Sequence, residues 1–249
     1  MKSIIILSAL MISFSVTSGE LSIPQKCDEY LYSETDDRRF NCCCTITYEK
    51  NNENPSEGPS VKYINLEFYA SILAEDITAE DLLEIYFSFD RWREYAQYDE
   101  NSHIIYNYSN GTPARFSPNL DTLIHDAHYT IYSSPILLVQ SFPYNIVEST
   151  IYRKRATPAT DAIASYDFSL REGSNPIGII DKWGSVHVAE SKKDTLLLVS
   201  KFNIKPRPIA ELLPGVIIQS MNYAFEDLLK GMLKVEYGCE NFIKENISK

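Results

Sequence analysis

The stretch Pro206–Val235, PRPIAELLPGVIIQSMNYAFEDLLKGMLKV, decides the fold. Its apolar residues Ile217, Met221, Ala224, Phe225, Leu228, Met232 and Val235 stand at i, i+4, i+7, i+8, i+11, i+15 and i+18. A continuous apolar stripe at the helical period predicts one long amphipathic helix. Pro214 suits its first turn, where the missing N–H would have no partner, so the helix is expected over Pro214–Val235. Just upstream, Thr195–Ile204 alternates in character and reads as a strand, ended by Pro206, Pro208 and Pro214-Gly215. A long helix laid across a sheet can enclose a cavity. Ile217, Met221, Phe225 and Leu228 are therefore candidate ligand contacts, with ordinary core packing as the alternative.

The chain before this helix is rich in strands. Val61–Ile72 alternates Tyr63, Asn65, Glu67 and Tyr69 against Ile64, Leu66, Phe68 and Ala70. Thr78-Ala-Glu-Asp81 opens a short helix as a variant capping box, with Leu82, Leu83, Ile85, Tyr86 and Phe89 along one side. From His103 onward, short strands follow at Ile104–Tyr108, Leu123–Ser133, Ile136–Phe142, Ser149–Arg153, Ala164–Leu170, Gly178–Glu190 and Thr195–Ile204. Asn110-Gly111, Ser133-Ser-Pro135, Gly173-Ser-Asn-Pro176 and Lys192-Lys-Asp194 are the turns between them. Strand, helix, several antiparallel strands and a last long helix make an α+β domain.

Residues 1–18 read as a secretory signal: Lys2, the apolar run Ile4–Val16, then small residues to Gly19. That run is shorter than the roughly 20 residues of a membrane span. The mature chain is expected to be exported, periplasmic or extracellular, with no stable membrane insertion. Residues 1–18 hold Lys2 and no acid, so their removal takes the formal charge from −11 to −12. Such acidity repels phosphate backbones, which excludes nucleic acid as a partner. Nothing in the sequence bears on oligomeric state.

Export favours disulfides, and the five cysteines are Cys27, Cys42, Cys43, Cys44 and Cys239. In a strand, Cys42 and Cys44 share one face and Cys43 takes the other. Cys27 is expected to pair within the 42–44 group, and Cys239 to tie the end of the last helix to the same segment. The disulfide candidates are Cys27, Cys42, Cys44 and Cys239. Three consecutive cysteines lack the spacing of a zinc site, and no metal or other cofactor is expected. Residues 19–59, closing on the polar loop Asn51–Pro59, read as a Cys-rich N-terminal extension, and residues 238–249 as a C-terminal tail.

No Gly-rich phosphate loop, G-x-S-x-G elbow or H-E-x-x-H is present. His125-Asp-Ala-His128 is the nearest thing to an acid/base cluster, but in a strand its two histidines face opposite ways, which defeats joint metal ligation. Tyr129 would share the face of Ala127 and Ile131. His187 reads as a structural histidine. Arg115 and Arg171 could meet a polar ligand head.

Thr78–Tyr95, with Asp90-Arg-Trp92 as a shortened Asp-x-x-x-Trp-like turn, resembles the first helices of the START-like helix-grip superfamily. That group includes lipid-binding START domains, polyketide cyclases and the birch-pollen allergen type. Trp183-Gly-Ser-Val-His187, Thr195–Ile204 and the Pro-rich entry to the last helix resemble its closing elements. The resemblance spans residues 60–237. It implies a curved antiparallel sheet of about seven strands wrapped on the long C-terminal helix, with an apolar tunnel between them. It also implies a noncatalytic binding protein or carrier for a lipid or other hydrophobic small molecule, and adds Trp183 to the candidate contacts. Two other readings compete: a cyclase- or hydrolase-like enzyme using His125, Asp126 or Tyr129 in the same cavity, and a disulfide-stapled module whose acidic surface meets a basic protein.

Overall fold

A computed structural model describes residues 21–32, 40–51, 60–73, 77–97, 104–133, 142–159, 161–174, 179–192, 194–206, 225, 227–232 and 241–244. Among the described residues nine strands form one sheet: β1 (Phe40–Asn51), β2 (Ser60–Leu73), β3 (Ile104–Thr112), β4 (Thr122–Ser133), β5 (Phe142–Lys154), β6 (Ala162–Leu170), β7 (Ile179–Glu190), β8 (Thr195–Pro206) and β9 (Asn241–Lys244). Their spatial order is β3-β4-β5-β6-β7-β8-β2-β1-β9. Neighbours are antiparallel except β9, which pairs parallel to β1. The class is α+β, as expected, with nine strands where about seven were anticipated.

The extra strands come largely from the ends of the chain. The segment 19–59, expected to stand outside the domain, supplies β1, which pairs with β2 from Phe40↔Ile72 to Asn51↔Ser60. Its alternation explains why: Cys42, Cys44 and Ile46 fall on the face that carries the main core. Residues 241–244 of the expected tail supply β9. Ile136–Phe142 lies outside the described residues apart from Phe142, the first residue of β5.

Three helical elements precede β3 among the described residues: α1 (Gln25–Leu31), α2 (Ala79–Phe87) and α3 (Trp92–Ala96), with a 3-10 turn (Phe89–Arg91) joining the last two. The capping box forms as read: Asp81 N–H donates to Thr78 Oγ1 at 3.1 Å, and Thr78 N–H donates to Asp81 Oδ2 at 3.2 Å. Of the expected C-terminal helix, Phe225 and residues 227–232 are described, and they are helical. The remainder, with Ile217 and Met221, lies outside the described residues. Phe225, Leu228, Leu229 and Met232 are buried in the main core.

The two faces of the sheet are covered differently. The inner face packs against α2, α3 and the helical Phe225, Leu228, Leu229 and Met232. On the outer face, α1 sits over a smaller core in which Cys27 and Leu31 meet Cys43, Tyr69, Leu197 and Val199. Cover on both sides is why β8 is buried without alternation from Thr195 to Ser200. Cys27 bonds to Cys43. Of the disulfide candidates, Cys42 is also bonded, whereas Cys44 is in no disulfide and is a buried thiol that donates to the Thr45 carbonyl at 3.7 Å. Cys27 thus pairs within the 42–44 group as expected, and the pleat selects Cys43, the one of the three that faces α1. Cys239 lies outside the described residues.

Candidate functional site

The inward positions of β5 are Ile146, Glu148, Thr150 and Tyr152, and those of β7 include Lys182, Val186 and Val188. Strand β6 separates these two strands only as far as Leu170. Its last pairs are Thr150↔Leu170 and Ser169↔Trp183. Beyond that point Glu148 and Lys182 face each other with no strand of the described residues between. Lys182 Nζ donates to Glu148 Oε1 at 2.7 Å, and the two residues are only 8% and 7% exposed. Burying two charges costs several kcal/mol per ion unless they pair closely, so a contact this short is what lets both remain in the core.

The pair lies in the wall of a cavity of about 90 Å³ between the sheet and the helical residues Phe225, Leu228, Leu229 and Met232. Aromatic side chains dominate the lining, notably Phe68, Tyr86, Trp92, Tyr106, Tyr129 and Tyr152. Phe225, Leu228, Leu229 and Met232 close it from the helix side. Phe225 stacks on Phe68 with ring centroids 4.3 Å apart. Trp92 is oriented by donation from Nε1 to the Tyr86 carbonyl at 2.9 Å. A C-terminal helical stripe meeting aromatic strand positions therefore yields a room with one charged spot.

His125 lies beside the pair. Its ring stacks on Phe89 at 4.4 Å and meets Trp92 at 4.6 Å. Nε2 is 2.9 Å from Ser109 Oγ, and that hydroxyl donates its one proton to the Phe89 carbonyl. Nε2 must then carry hydrogen and donate to Ser109, which leaves Nδ1 as an acceptor. Burial, helped by the nearby Lys182 charge, lowers the His125 pKa to about 3, so the ring is neutral at physiological pH. Burial also raises the pKa of Tyr106, Tyr129 and Tyr152 well above the usual phenol value, and the Glu148 carboxylate adds to each shift. These hydroxyls keep their protons. The wall thus offers one ammonium, one carboxylate, a neutral imidazole and several phenols.

Phe225 and Leu228, expected to touch a ligand, line this cavity. Trp183 does not. It occupies the outer face of β7, half-buried against Tyr63 at 5.6 Å, because an odd position there points away from Lys182. Arg115 is exposed in the loop after β3. Arg171 is exposed on the far side of β4 and β5, in an open groove of about 340 Å³ shared with Asp126 and His128. The pleat therefore separates His125 and Tyr129, which reach the cavity, from Asp126 and His128, which do not. His187 is structural, held at 2.8 Å from both Ser165 Oγ and Ser185 Oγ. Among the described residues no group of His, Cys, Asp or Glu is arranged to hold a metal.

Sequence reading does not single out Glu148 and Lys182. The signal available was a charge at an inward strand position: Glu148 alternates with Ile146 and Tyr152, and Lys182 with Val186 and Val188.

No protein-family model matches the chain, and no curated protein matches it. Among solved structures it is similar to TTHA0849 from Thermus thermophilus, at 11% identity and a TM-score of 0.42 over 69% of this chain and 94% of that one. It is similar to the di-domain ARO/CYC StfQ from the steffimycin biosynthetic pathway, at 10% identity and a TM-score of 0.38 over 69% of this chain and 48% of that one. Norcoclaurine synthase from Thalictrum flavum aligns at 15% identity and a TM-score of 0.34, over 68% of this chain and 94% of that one. At TM-scores this low the likenesses decide neither ancestry nor activity.

Proposed function

We propose that the protein binds a hydrophobic small molecule in the cavity between its sheet and its C-terminal helix. The observation that carries this reading is a mostly aromatic room holding one buried ion pair, a combination that gives affinity through apolar contact and orientation through a single polar spot. Its volume of about 90 Å³ sets the scale. Drug-sized ligands occupy pockets of at least ~300 Å³, so a lipid chain enters only if Phe225, Leu228 and Met232 withdraw. The exported, periplasmic or extracellular setting is part of the same proposal, and the Cys27–Cys43 disulfide supports it. Among the described residues, no helix is long and apolar enough to cross a membrane.

Native mass spectrometry of the protein purified from its own host, followed by organic extraction, tests the reading. A bound apolar metabolite supports it. A bare mass, together with no binding of any apolar probe, defeats it.

A second reading is acid/base catalysis in the same room, favoured by the convergence of Glu148, Lys182, Tyr129 and neutral His125 on one wall. Lys182 would draw electron density to a substrate oxygen, and Glu148 or His125 Nδ1 would accept a proton from the adjacent carbon. Recovering an extracted ligand after incubation separates the two: a binder returns it unchanged, whereas an enzyme returns a product.

A further inference from the structure

The chemistry of the ion pair narrows the ligand class. An ammonium only donates hydrogen bonds, and Lys182 spends one of its three N–H groups on Glu148, its only side-chain partner among the described residues. A ligand group that docks on Lys182 must therefore be an acceptor. An anionic acceptor would lie beside the Glu148 carboxylate in a site shielded from water, where like charges repel strongly. Glu148 itself is served by Lys182, and the Tyr129 hydroxyl lies close enough to feel its charge. The demand left at Lys182 is for a neutral oxygen.

Size and shape set the rest. An apolar cavity of ~150 Å³ admits benzene, so one of about 90 Å³ takes at most a single ring, and takes it only as Phe225, Leu228 and Met232 move outward. Those walls are predominantly aromatic, suited to edge and offset contacts with a flat ring.

Building on the binding reading above, we infer that the ligand is a neutral, single-ring aromatic carbonyl compound whose oxygen accepts a hydrogen bond from Lys182 Nζ. Acetophenone, ethylbenzene and benzoate serve as probes that differ in this one group. Trp183 is replaced by Phe, so that Trp92 of the cavity wall is the one tryptophan left, and binding is read from its fluorescence and by calorimetry.

Acetophenone is expected to bind about 10- to 100-fold more tightly than ethylbenzene, as a hydrogen bond from a charged donor implies. Benzoate is expected to bind more weakly than acetophenone. In the double variant Lys182→Met, Glu148→Met, which leaves no unpaired charge, the preference for acetophenone over ethylbenzene falls to within a factor of about 3. Equal affinities for acetophenone and ethylbenzene, a preference for benzoate, or a preference that survives in the double variant overturns the carbonyl assignment while leaving cavity binding intact. Failure of all three probes to bind the parent overturns the cavity reading as well.

Discussion

Glu148 and Lys182 meet at 2.7 Å at the place where β6 stops pairing at Leu170, so a charge pair bridges the gap that a longer β6 would otherwise fill. Each charge is tolerable in the core only because of the other. Lys182→Met alone leaves a buried carboxylate and is expected to destabilise by about 3–5 kcal/mol, and Glu148→Met a comparable amount. The double variant should return to within about 1 kcal/mol of the parent, because flexible apolar side chains fill the same space. Urea unfolding of the four proteins measures the cycle. Additive losses would show that the two residues do not act as a pair.

The buried histidines make stability depend on pH. The His125 pKa is lowered to about 3 and that of His187 to about 4, in both cases first by burial. In the unfolded chain each titrates near ~6.5. Between those values the unfolded state binds more protons than the folded one, so acid favours unfolding. Stability from these two groups is full above pH ~6.5 and is lost as pH falls towards about 4 and then 3. The melting temperature should drop across this window. In His125→Gln, which keeps a donor for Ser109, the drop should be shallower. Parallel curves for the two proteins would remove His125 from the account.

What was legible in the sequence was whatever repeats locally. The Thr78–Asp81 box, the alternation of Val61–Ile72 and the opposite facing of Cys43 against Cys42 and Cys44 are read over a few residues, and each is present. Phe225 and Leu228 were likewise readable from a period of 3.6, and both reach the cavity. The pair at its wall was not. Glu148 and Lys182 are 34 residues apart, and their meeting depends on where β6 ends, which is a property of three strands together. The place of 19–59 in the sheet was hidden for a related reason. Helix α1 has only seven residues, opens at Pro24 without a side-chain cap, and shows too little period to announce that it covers β8.

That short helix depends on its covalent tie. Seven residues are too few to hold helical structure alone in water, and α1 is fastened by Cys27–Cys43 and by Lys192 Nζ to Asp28 at 2.8 Å. The exposed ion pair is worth little. The disulfide closes a loop of 16 residues, for which chain entropy suggests about 3 kcal/mol. Cys27→Ala with Cys43→Ala should lower the melting temperature by about 6–12 °C and open the chain to trypsin at exposed Lys26 before any other site. The double variant is preferable to reduction, because Cys42 is also disulfide-bonded. Resistance at Lys26 equal to that of the parent would show that packing of Leu31 on Tyr69, Leu197 and Val199 suffices without the bond.

The helical residues that close the cavity press on α3 at Gly231. A Cβ built on Gly231 would lie 2.0 Å from the Tyr95 carbonyl oxygen and 2.5 Å from its carbon, both backbone atoms of α3 that no rotamer change can move. In a free helix, Gly→Ala stabilises by about 0.5–1 kcal/mol. Here the added methyl must push residues 227–232 away from α3, drawing Leu228, Leu229 and Met232 off the cavity wall. Gly231→Ala is therefore expected to destabilise by about 1–3 kcal/mol, the usual range for forcing extra volume into a packed contact. The emission of Trp92, buried at 8% exposure, should move to longer wavelength as its surroundings open. The sign is decisive. A rise in melting temperature would mean that helix propensity outweighs the contact, and that Gly231 does not bear on Tyr95 in solution.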